Sequence, residues 1–131
     1  MSYLIDTHAH LDFPELYDRL DEIIDASYQN NVKKIVSIST NLNKIEKIKG
    51  LSNKNKDVFF TVGTHPNEVL KDDNNSNYIL FSKISTDKKC VGIGECGLDY
   101  HYGKDCKDVQ KKSFITPVSY THLRAHETMA H

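Results

Sequence analysis

The sequence predicts an α/β protein built on parallel strands. Four short apolar runs of strand length alternate with segments whose apolar residues recur every three or four positions, the spacing of an amphipathic helix. Several of the runs end in histidine or carboxylate side chains. Parallel α/β folds build their active sites at the carboxyl ends of their strands. Periodicity alone does not distinguish an open sheet from part of a closed barrel.

The predicted strands are rich in β-branched and aromatic residues and are bounded by polar turns. The second and third read Val-Lys-Lys-Ile-Val-Ser-Ile-Ser and Val-Phe-Phe-Thr-Val-Gly. The four runs lie at residues 3–10, 32–39, 58–63 and 90–94. Strands of this length that alternate with helices pair in parallel.

Helical periodicity fills the intervals between the strands. From Leu42 to Leu51, for example, apolar residues repeat every three positions, and Thr40-Asn41 offers an N-cap for that helix. The helices are predicted at residues 16–28, 42–51, 78–85 and from Lys107 onward. The polar stretch 72–77 is predicted to be an exposed loop.

Composition and charge indicate one domain without a bulk charge bias. The 131 residues suffice for a single core. The 17 basic and 18 acidic residues give a formal net charge of −1, so a polyanionic substrate must be held locally, for example by a metal. No apolar stretch spans a bilayer and no secretory leader opens the chain, so we expect a cytoplasmic protein. The three cysteines lack Cys-x-x-Cys spacing, which argues against disulfides and a zinc knuckle.

The first strand ends in the pattern Asp6-Thr7-His8-Ala9-His10. Side chains alternate faces along an extended chain, so Asp6, His8 and His10 point the same way. Two imidazoles beside a carboxylate on a buried strand are able to hold a divalent metal. The alternative is one histidine hydrogen-bonded in the core and the other on the surface. We favour the metal site because three polar groups on one buried face are costly without a ligand.

The fourth strand ends in the stretch Gly92-Ile93-Gly94-Glu95-Cys96-Gly97. It matches the glycine pattern of a dinucleotide-binding turn, but neither the helix nor the later acidic residue of that fingerprint follows. The glycines are better explained as bends that bring Glu95 near the histidines. A carboxylate buried there needs a cation, either a lysine or a metal, and its two oxygens are able to bridge two ions. We favour the metal.

His65 and the pair Asp99-Tyr100 also follow strand ends. We predict that His65 faces the substrate, although a turn residue or a metal ligand is also compatible with its position. Asp99 supplies a carboxylate and Tyr100 an aromatic surface to the same cleft, while ordinary packing explains Tyr100 equally well. His122 and His126 are spaced like the histidines of a zinc helix, but the glutamate follows both of them, and we predict no metal site there.

Three motifs together resemble one protein family. The stretches 4–12, 62–66 and 92–100 occur in the order found in the TatD family of metal-dependent deoxyribonucleases, which are amidohydrolase-type TIM barrels. The resemblance implies a (β/α)8 barrel with a two-metal centre. It also implies that a metal-activated water hydrolyses phosphodiester bonds in DNA.

The resemblance assigns roles to the residues of these motifs. Divalent cations are the implied cofactors, two in the complete site, and Mg²⁺, Mn²⁺ and Zn²⁺ all suit nitrogen and oxygen ligands. DNA is the implied substrate. The implied metal ligands are His8, His10 and Glu95, of which Glu95 bridges both ions and is catalytic. The residues implied to face the substrate are His65, Asp99 and Tyr100.

The resemblance covers about residues 2–115 and departs at Cys96, where an aliphatic residue is usual. We predict that residues 1–115 form the N-terminal half of a TatD-like barrel, about its first four βα units. Residues 116–131 are predicted to be an unrelated, loosely ordered tail. The family's remaining ligands come from later strands, so we expect impaired or absent activity from these residues alone. The open edges and uncovered face of a half barrel are expected to promote self-association.

Two other functions stay open from the sequence. The same fold with a His-x-His opening serves hydrolases of amides or lactones, although the stretch 94–99 favours the nuclease. Alternatively, the chain is a non-catalytic fragment that binds metal or a partner. The native metal and the strand preference and polarity on DNA also stay open.

Overall fold

The predicted strands form one parallel sheet in the computed structural model, which describes residues 2–101 and 106–129. The strands lie side by side in chain order, and each pairs in parallel with the next. Their bounds are β1 Leu4–Ala9, β2 Val32–Ser37, β3 Val58–Val62 and β4 Cys90–Ile93. The α/β class predicted from periodicity is confirmed.

Helices connect the strands and follow the last one, as predicted. Their bounds are α1 Pro14–Tyr17, α2 Leu20–Gln29, α3 Ile45–Lys54, α4 Tyr78–Ser85 and α5 Lys107–Met129. The single helix expected over 16–28 is split, because Arg19 leaves helical geometry at φ −126° and ψ 28°. In the part of the chain that the structure describes, no helix is both long and apolar enough to cross a membrane.

Two short 3₁₀ turns follow the carboxyl ends of β2 and β3. They span Leu42–Lys44, before α3, and Pro66–Glu68, after β3. Asn41 caps the first turn, since its side-chain oxygen accepts a hydrogen bond from the Asn43 N–H at 2.9 Å. The helix predicted to begin at residue 42 therefore starts as a 3₁₀ turn.

Two apolar clusters pack the helices against the sheet. The larger joins Phe60 and Val62 of β3 to buried side chains of α3 and α4: Ile45, Ile48, Phe81 and Ile84. The smaller includes Ile35 of β2 and Val58 of β3. Burial of each such side chain contributes about 1.5–3 kcal/mol. The two interior strands, β2 and β3, therefore anchor the core.

The outer strands are far more exposed than the interior ones. Leu4 and Ile5 of β1 keep 62% and 48% of their surface accessible, and Val91 of β4 keeps 55%. The expectation of a buried first strand is wrong, because β1 and β4 are the two edges of the sheet. Open edges were expected, and the self-association inferred from them stays a prediction.

The last helix, α5, begins at Lys107 as predicted and continues past residue 115. Tyr120 on this helix is 7% exposed, and its ring centroid lies 5.3 Å from that of Phe81 in an edge-to-face contact. Thr116 and Pro117 are buried as well. The point at which the family-like part ends stays a prediction.

Cys90 packs against the larger core cluster, where burial raises the pKa of its thiol to about 11. Because the thiolate is the reactive form, we expect iodoacetamide to alkylate Cys90 slowly at about pH 8 and much faster as the pH approaches the raised pKa. Timed quenching and peptide mass spectrometry measure the rate. The urea-unfolded chain is the control, and equal rates in the folded and unfolded chains at the lower pH would contradict this expectation.

Candidate metal centre

The carboxyl ends of the strands bring three histidines and one carboxylate together. His8 lies in β1 and His10 follows it, while His65 follows β3 and Glu95 follows β4. His8 Nε2 and His10 Nε2 each lie 3.8 Å from Glu95 Oε2. His65 Nε2 lies 3.7 Å from the other carboxylate oxygen, Oε1. Side chains singled out from three separate motifs thus converge on Glu95.

Backbone hydrogen bonds hold this arrangement against the end of β2. The Glu95 N–H donates to the Ser39 carbonyl at 2.7 Å, and the His65 N–H donates to the Thr40 carbonyl at 2.8 Å. The Ser39 hydroxyl donates to the Gly63 carbonyl at 2.7 Å. The segments after β3 and β4 are therefore both tied to the segment after β2.

The ring nitrogens of His10 and His65 are set up for different roles. His10 Nδ1–H donates to the Ile38 carbonyl at 3.0 Å, which leaves the Nε2 lone pair free toward the carboxylate. In His65 the role of Nδ1 is reversed, because this nitrogen accepts a hydrogen bond from the Asn67 backbone N–H at 3.0 Å. The proton of neutral His65 therefore lies on Nε2, which donates rather than coordinates. His10 fits a metal ligand, and His65 fits a hydrogen-bond donor.

Aromatic contacts orient the two histidines of the first motif. The ring of Phe13 stacks on that of His10, with centroids 4.8 Å apart and planes inclined by 12°. The ring of His8 contacts the His10 ring edge-on, with centroids 5.1 Å apart. The sequence gives no sign of this role for Phe13, since nothing local marks a residue as the stacking partner of a histidine.

The donor set of His8, His10 and Glu95 suits a divalent ion. One ligand atom from each residue lies within 4.8 Å of the others. Tetrahedral ligands bound at about 2.1 Å lie roughly 3.4 Å from one another, so small side-chain movements convert the 3.8 Å separations into coordination. Two imidazoles and a carboxylate suit zinc, manganese and similar ions. The residues present fit a metal and leave positions for water or further ligands.

The acids that flank the two histidines do not join this group. The Asp6 carboxylate accepts from the His8 N–H at 3.0 Å, so the expected trio of Asp6, His8 and His10 is wrong, and the carboxylate of the group comes from Glu95. Asp12 is 2% exposed, and burial raises its pKa. Neither oxygen of Asp12 has a hydrogen-bond partner among the described residues.

Asp99 and Tyr100 lie beyond the group, in the segment after Glu95. Asp99 accepts hydrogen bonds from the His101 N–H at 3.0 Å and from Asn67 Nδ2 at 3.2 Å. The bond from the His101 backbone lowers the pKa of Asp99, and the bond from Asn67 lowers it further. The Tyr100 ring centroid lies 4.9 Å from Lys107 Nζ. Asp99 is therefore hydrogen-bonded to the turn after His65, and Tyr100 contacts a lysine at the start of α5.

Glycine is required where the segment carrying Glu95 passes β3. Gly94 has a φ of 151°, and its carbonyl accepts from Thr61 Oγ1 at 2.7 Å. A Cβ built on Gly63 would lie 2.8 Å from the Gly94 carbonyl carbon and would also overlap the Glu95 carbonyl oxygen. A methyl group at position 63 must therefore displace the backbone that carries Glu95.

We expect Gly63→Ala to lower the free energy of unfolding by about 1–3 kcal/mol, because the added carbon overlaps backbone that cannot move freely. Gly50→Ala is the matched control, since Gly50 lies within α3 and an added Cβ there has nothing within 4 Å. This second change should stabilise the helix by about 0.5–1 kcal/mol. Urea unfolding measures both. Equal stability of Gly63→Ala and the unchanged chain would contradict the close approach.

Asp72, which sequence reasoning missed, joins the segments after β2 and β3. It is 1% exposed, and its Oδ2 accepts from the Leu42 N–H and from Thr64 Oγ1, both at 2.7 Å. Its Oδ1 accepts from the Asn74 N–H at 2.9 Å. The prediction that 72–77 is an exposed loop is therefore wrong at Asp72. Because Thr64 precedes His65, this buried carboxylate also fixes the position of that histidine.

The group opens into a cavity of about 550 Å³ at the same edge of the sheet. Its wall contains the three histidines, Glu95, Phe13 and Thr40. Thr40 Oγ1 is buried and has no hydrogen-bond partner among the described residues. A buried hydroxyl without a partner is costly, which favours a site that gains a ligand or an ordered water.

Comparison with known proteins places the chain in a family. A family model described as TatD related DNase matches residues 5–121. The uncharacterized metal-dependent hydrolase BU355 of Buchnera aphidicola is 34% identical over 122 residues, which cover 86% of this chain and 46% of that protein. YabD of Bacillus subtilis, also named an uncharacterized metal-dependent hydrolase, is 32% identical over 116 residues, 88% of this chain and 45% of that protein. Human deoxyribonuclease TATDN3 is 30% identical over 105 residues, 74% of this chain and 38% of that protein.

A solved structure supports the same assignment at the level of fold. The crystal structure of YJJV, a TatD homolog from Escherichia coli K12, matches with a TM-score of 0.78 and 24% identity, covering 88% of this chain and 45% of that chain. This likeness confirms the partial barrel. The chain spans about half the length of the curated relatives it matches. The boundary predicted at residue 115 lies inside the matched stretch and stays a prediction. From the family match and these relatives, the chain belongs to the TatD related DNase family.

Proposed function

We propose that the protein is a metal-dependent hydrolase that cleaves phosphodiester bonds in DNA. The convergence of His8, His10 and His65 on the two oxygens of Glu95 carries this proposal. The names of the relatives support it, because BU355 and YabD are called metal-dependent hydrolases and TATDN3 a deoxyribonuclease. Since those relatives are about twice as long, the proposal concerns the activity of the whole protein.

In this proposal His8, His10 and Glu95 would hold the divalent cations, and Glu95 would be the ligand shared between two of them. When bound, such ions supply a water of lowered pKa and offset the negative charge that develops on the phosphate. The stacked Phe13 and the Ile38 carbonyl keep the His10 ring in the orientation that presents Nε2.

The other predicted residues act on the substrate. His65 Nε2–H donates a hydrogen bond to a non-bridging phosphate oxygen and so orients the scissile group. The negative charge of Asp99 repels phosphate, so in this proposal its carboxylate accepts hydrogen bonds from donors on a base or sugar instead. Tyr100 supplies an aromatic face beside the same substrate.

Cleavage of labelled oligonucleotides tests the proposal. The chain is incubated with single-stranded and double-stranded DNA in Mg²⁺, Mn²⁺ or Zn²⁺, with and without EDTA, and the products are separated on denaturing gels. Because this chain covers about half of its relatives' length, we expect any cleavage to be slow, to require metal and to be lost in His8→Ala. His122→Ala is the matched control, because His122 lies on α5 outside the wall of the metal cavity.

Two outcomes would contradict the proposal. One is cleavage that is equal in EDTA or in His8→Ala, which would indicate a contaminating nuclease. The other is a metal-bound chain that leaves DNA intact while hydrolysing amide or lactone substrates under the same conditions. Calorimetric titration with Mn²⁺ on the same samples establishes whether metal is bound.

A further inference from the structure

Lys71 lines the cavity of the metal centre without belonging to any motif of the sequence. It follows the 3₁₀ turn Pro66–Glu68, and with Asn67 and Glu68 it forms part of the cavity wall. Among the described residues of that wall, Lys71 carries the single permanent positive charge, whereas Glu68 and Glu95 are acidic. A polyanion that enters the cavity therefore meets one fixed cation of the chain itself.

The backbone of Lys71 is fixed while its side chain stays exposed. Its N–H donates to the Glu68 carbonyl at 3.0 Å, and its carbonyl accepts from Asn43 Nδ2 at 3.1 Å. The next residue is the buried Asp72. The Lys71 side chain is solvent-exposed, and no carboxylate of the described residues forms an ion pair with its ammonium group. An ammonium on an anchored backbone and without an internal partner is available to a ligand.

We propose that Lys71 binds a backbone phosphate of the nucleic acid held at the metal centre. The inference rests on the proposed function and adds to it a substrate-binding residue that contributes charge rather than sequence preference. Lysine contacts phosphate as a point charge, so the contact fixes the register of the strand and is insensitive to the base. Lys71 thereby offsets part of the repulsion that Glu68 and Glu95 exert on the substrate.

Equilibrium binding of a labelled oligothymidylate in Mn²⁺ tests this role. Fluorescence anisotropy is followed over a series of salt concentrations. The probe carries neutral methylphosphonate linkages at its ends, so only its interior phosphates are charged and contribute to the salt dependence of binding. We expect Lys71→Ala to weaken binding roughly fivefold at low salt and to reduce the slope of log K against log salt by about 0.7, the value for one contact to a single strand. Lys71→Arg should retain most of the affinity.

Lys83→Ala is the matched control, because Lys83 is an exposed lysine on α4 and is absent from the cavity wall. The inference is overturned if the unchanged chain binds the probe and Lys71→Ala behaves like Lys83→Ala. A chain that binds Mn²⁺ but not the probe overturns the proposed function as well, so the two failures are distinguishable. Inorganic phosphate that competes as effectively as the oligonucleotide would also overturn the inference, since it would indicate a site for the free anion.

A fully methylphosphonate probe provides a second measurement that does not depend on how well each variant folds. Because this probe has no backbone charge, the ratio of affinities for charged and neutral probes within one variant reports the charge contribution alone. The ratio should fall in Lys71→Ala and stay unchanged in Lys83→Ala. An equal ratio in all variants would overturn the role of Lys71.

Discussion

Glu95→Gln is expected to lower the affinity of the chain for Mn²⁺ by at least about 100-fold, more than the loss of a supporting residue around a metal usually costs. Glutamine keeps the size of the side chain but removes the negative charge that all three histidines face. It also places an amide NH₂ where one of the two acceptor oxygens now lies. Calorimetric titration measures the change.

Glu68→Gln is the matched control for this experiment, because Glu68 lines the same cavity but does not belong to the group of three potential ligands. It removes the same charge from the same cavity. If both variants lose affinity equally, general electrostatics rather than coordination accounts for metal binding. Circular dichroism of Glu95→Gln tests whether the fold persists without the Glu95 carboxylate.

Asp72→Asn is expected to lower the free energy of unfolding by about 3 kcal/mol, because a buried charged acceptor is replaced by a group that is half donor. Both oxygens of Asp72 accept hydrogen bonds. Oδ2 accepts from Leu42 and Thr64, and Oδ1 accepts from Asn74. The NH₂ of the asparagine must face one of the groups that now donate to Asp72. Both the NH₂ and the donor it faces then lack a hydrogen-bond acceptor. Urea unfolding followed by fluorescence or circular dichroism measures the loss.

The neighbouring Asp73→Asn provides the control, since Asp73 is exposed and the same chemical change there should alter stability by less than about 0.5 kcal/mol. Asp72→Asn should also weaken DNA binding through the shift of Thr64 and His65. A protein as stable as Asp73→Asn would show that the three hydrogen bonds to Asp72 contribute little.

Sequence reasoning succeeded where a local period or a rule of topology decides the structure. Alternation and β-branched composition located β2, β3 and β4 to within a residue or two at each end. Parallel pairing then explains why His8, His65 and Glu95 meet, since parallel strands present their carboxyl ends at one edge of the sheet. Neither step requires knowledge of how the loops fold.

The parts that sequence reasoning missed depend on loop conformation and on neighbours across the sheet. Nothing in the polar stretch after residue 71 marks Asp72 as buried, because two of its three donors, Leu42 and Thr64, come from the segments after β2 and β3. The stacking of Phe13 on His10 likewise requires the turn before α1 to fold back over the strand end. The exposure of β1 follows from its place at the sheet edge, which its apolar composition does not reveal.

The potential ligand atoms of the candidate metal centre come from opposite edges of the sheet. His8 and His10 belong to the end of β1, and Glu95 to the end of β4, while β2 and β3 lie between them. An ion held by these residues acts as a cross-link between the two outer strands, which are the least buried of the four. Because the unfolded chain does not hold these donors together, an ion at 100 times its dissociation constant adds about 2.7 kcal/mol to the stability of the fold. Metal binding at this site and the stability of the fold are therefore thermodynamically linked, through the two outer strands that carry the potential ligands.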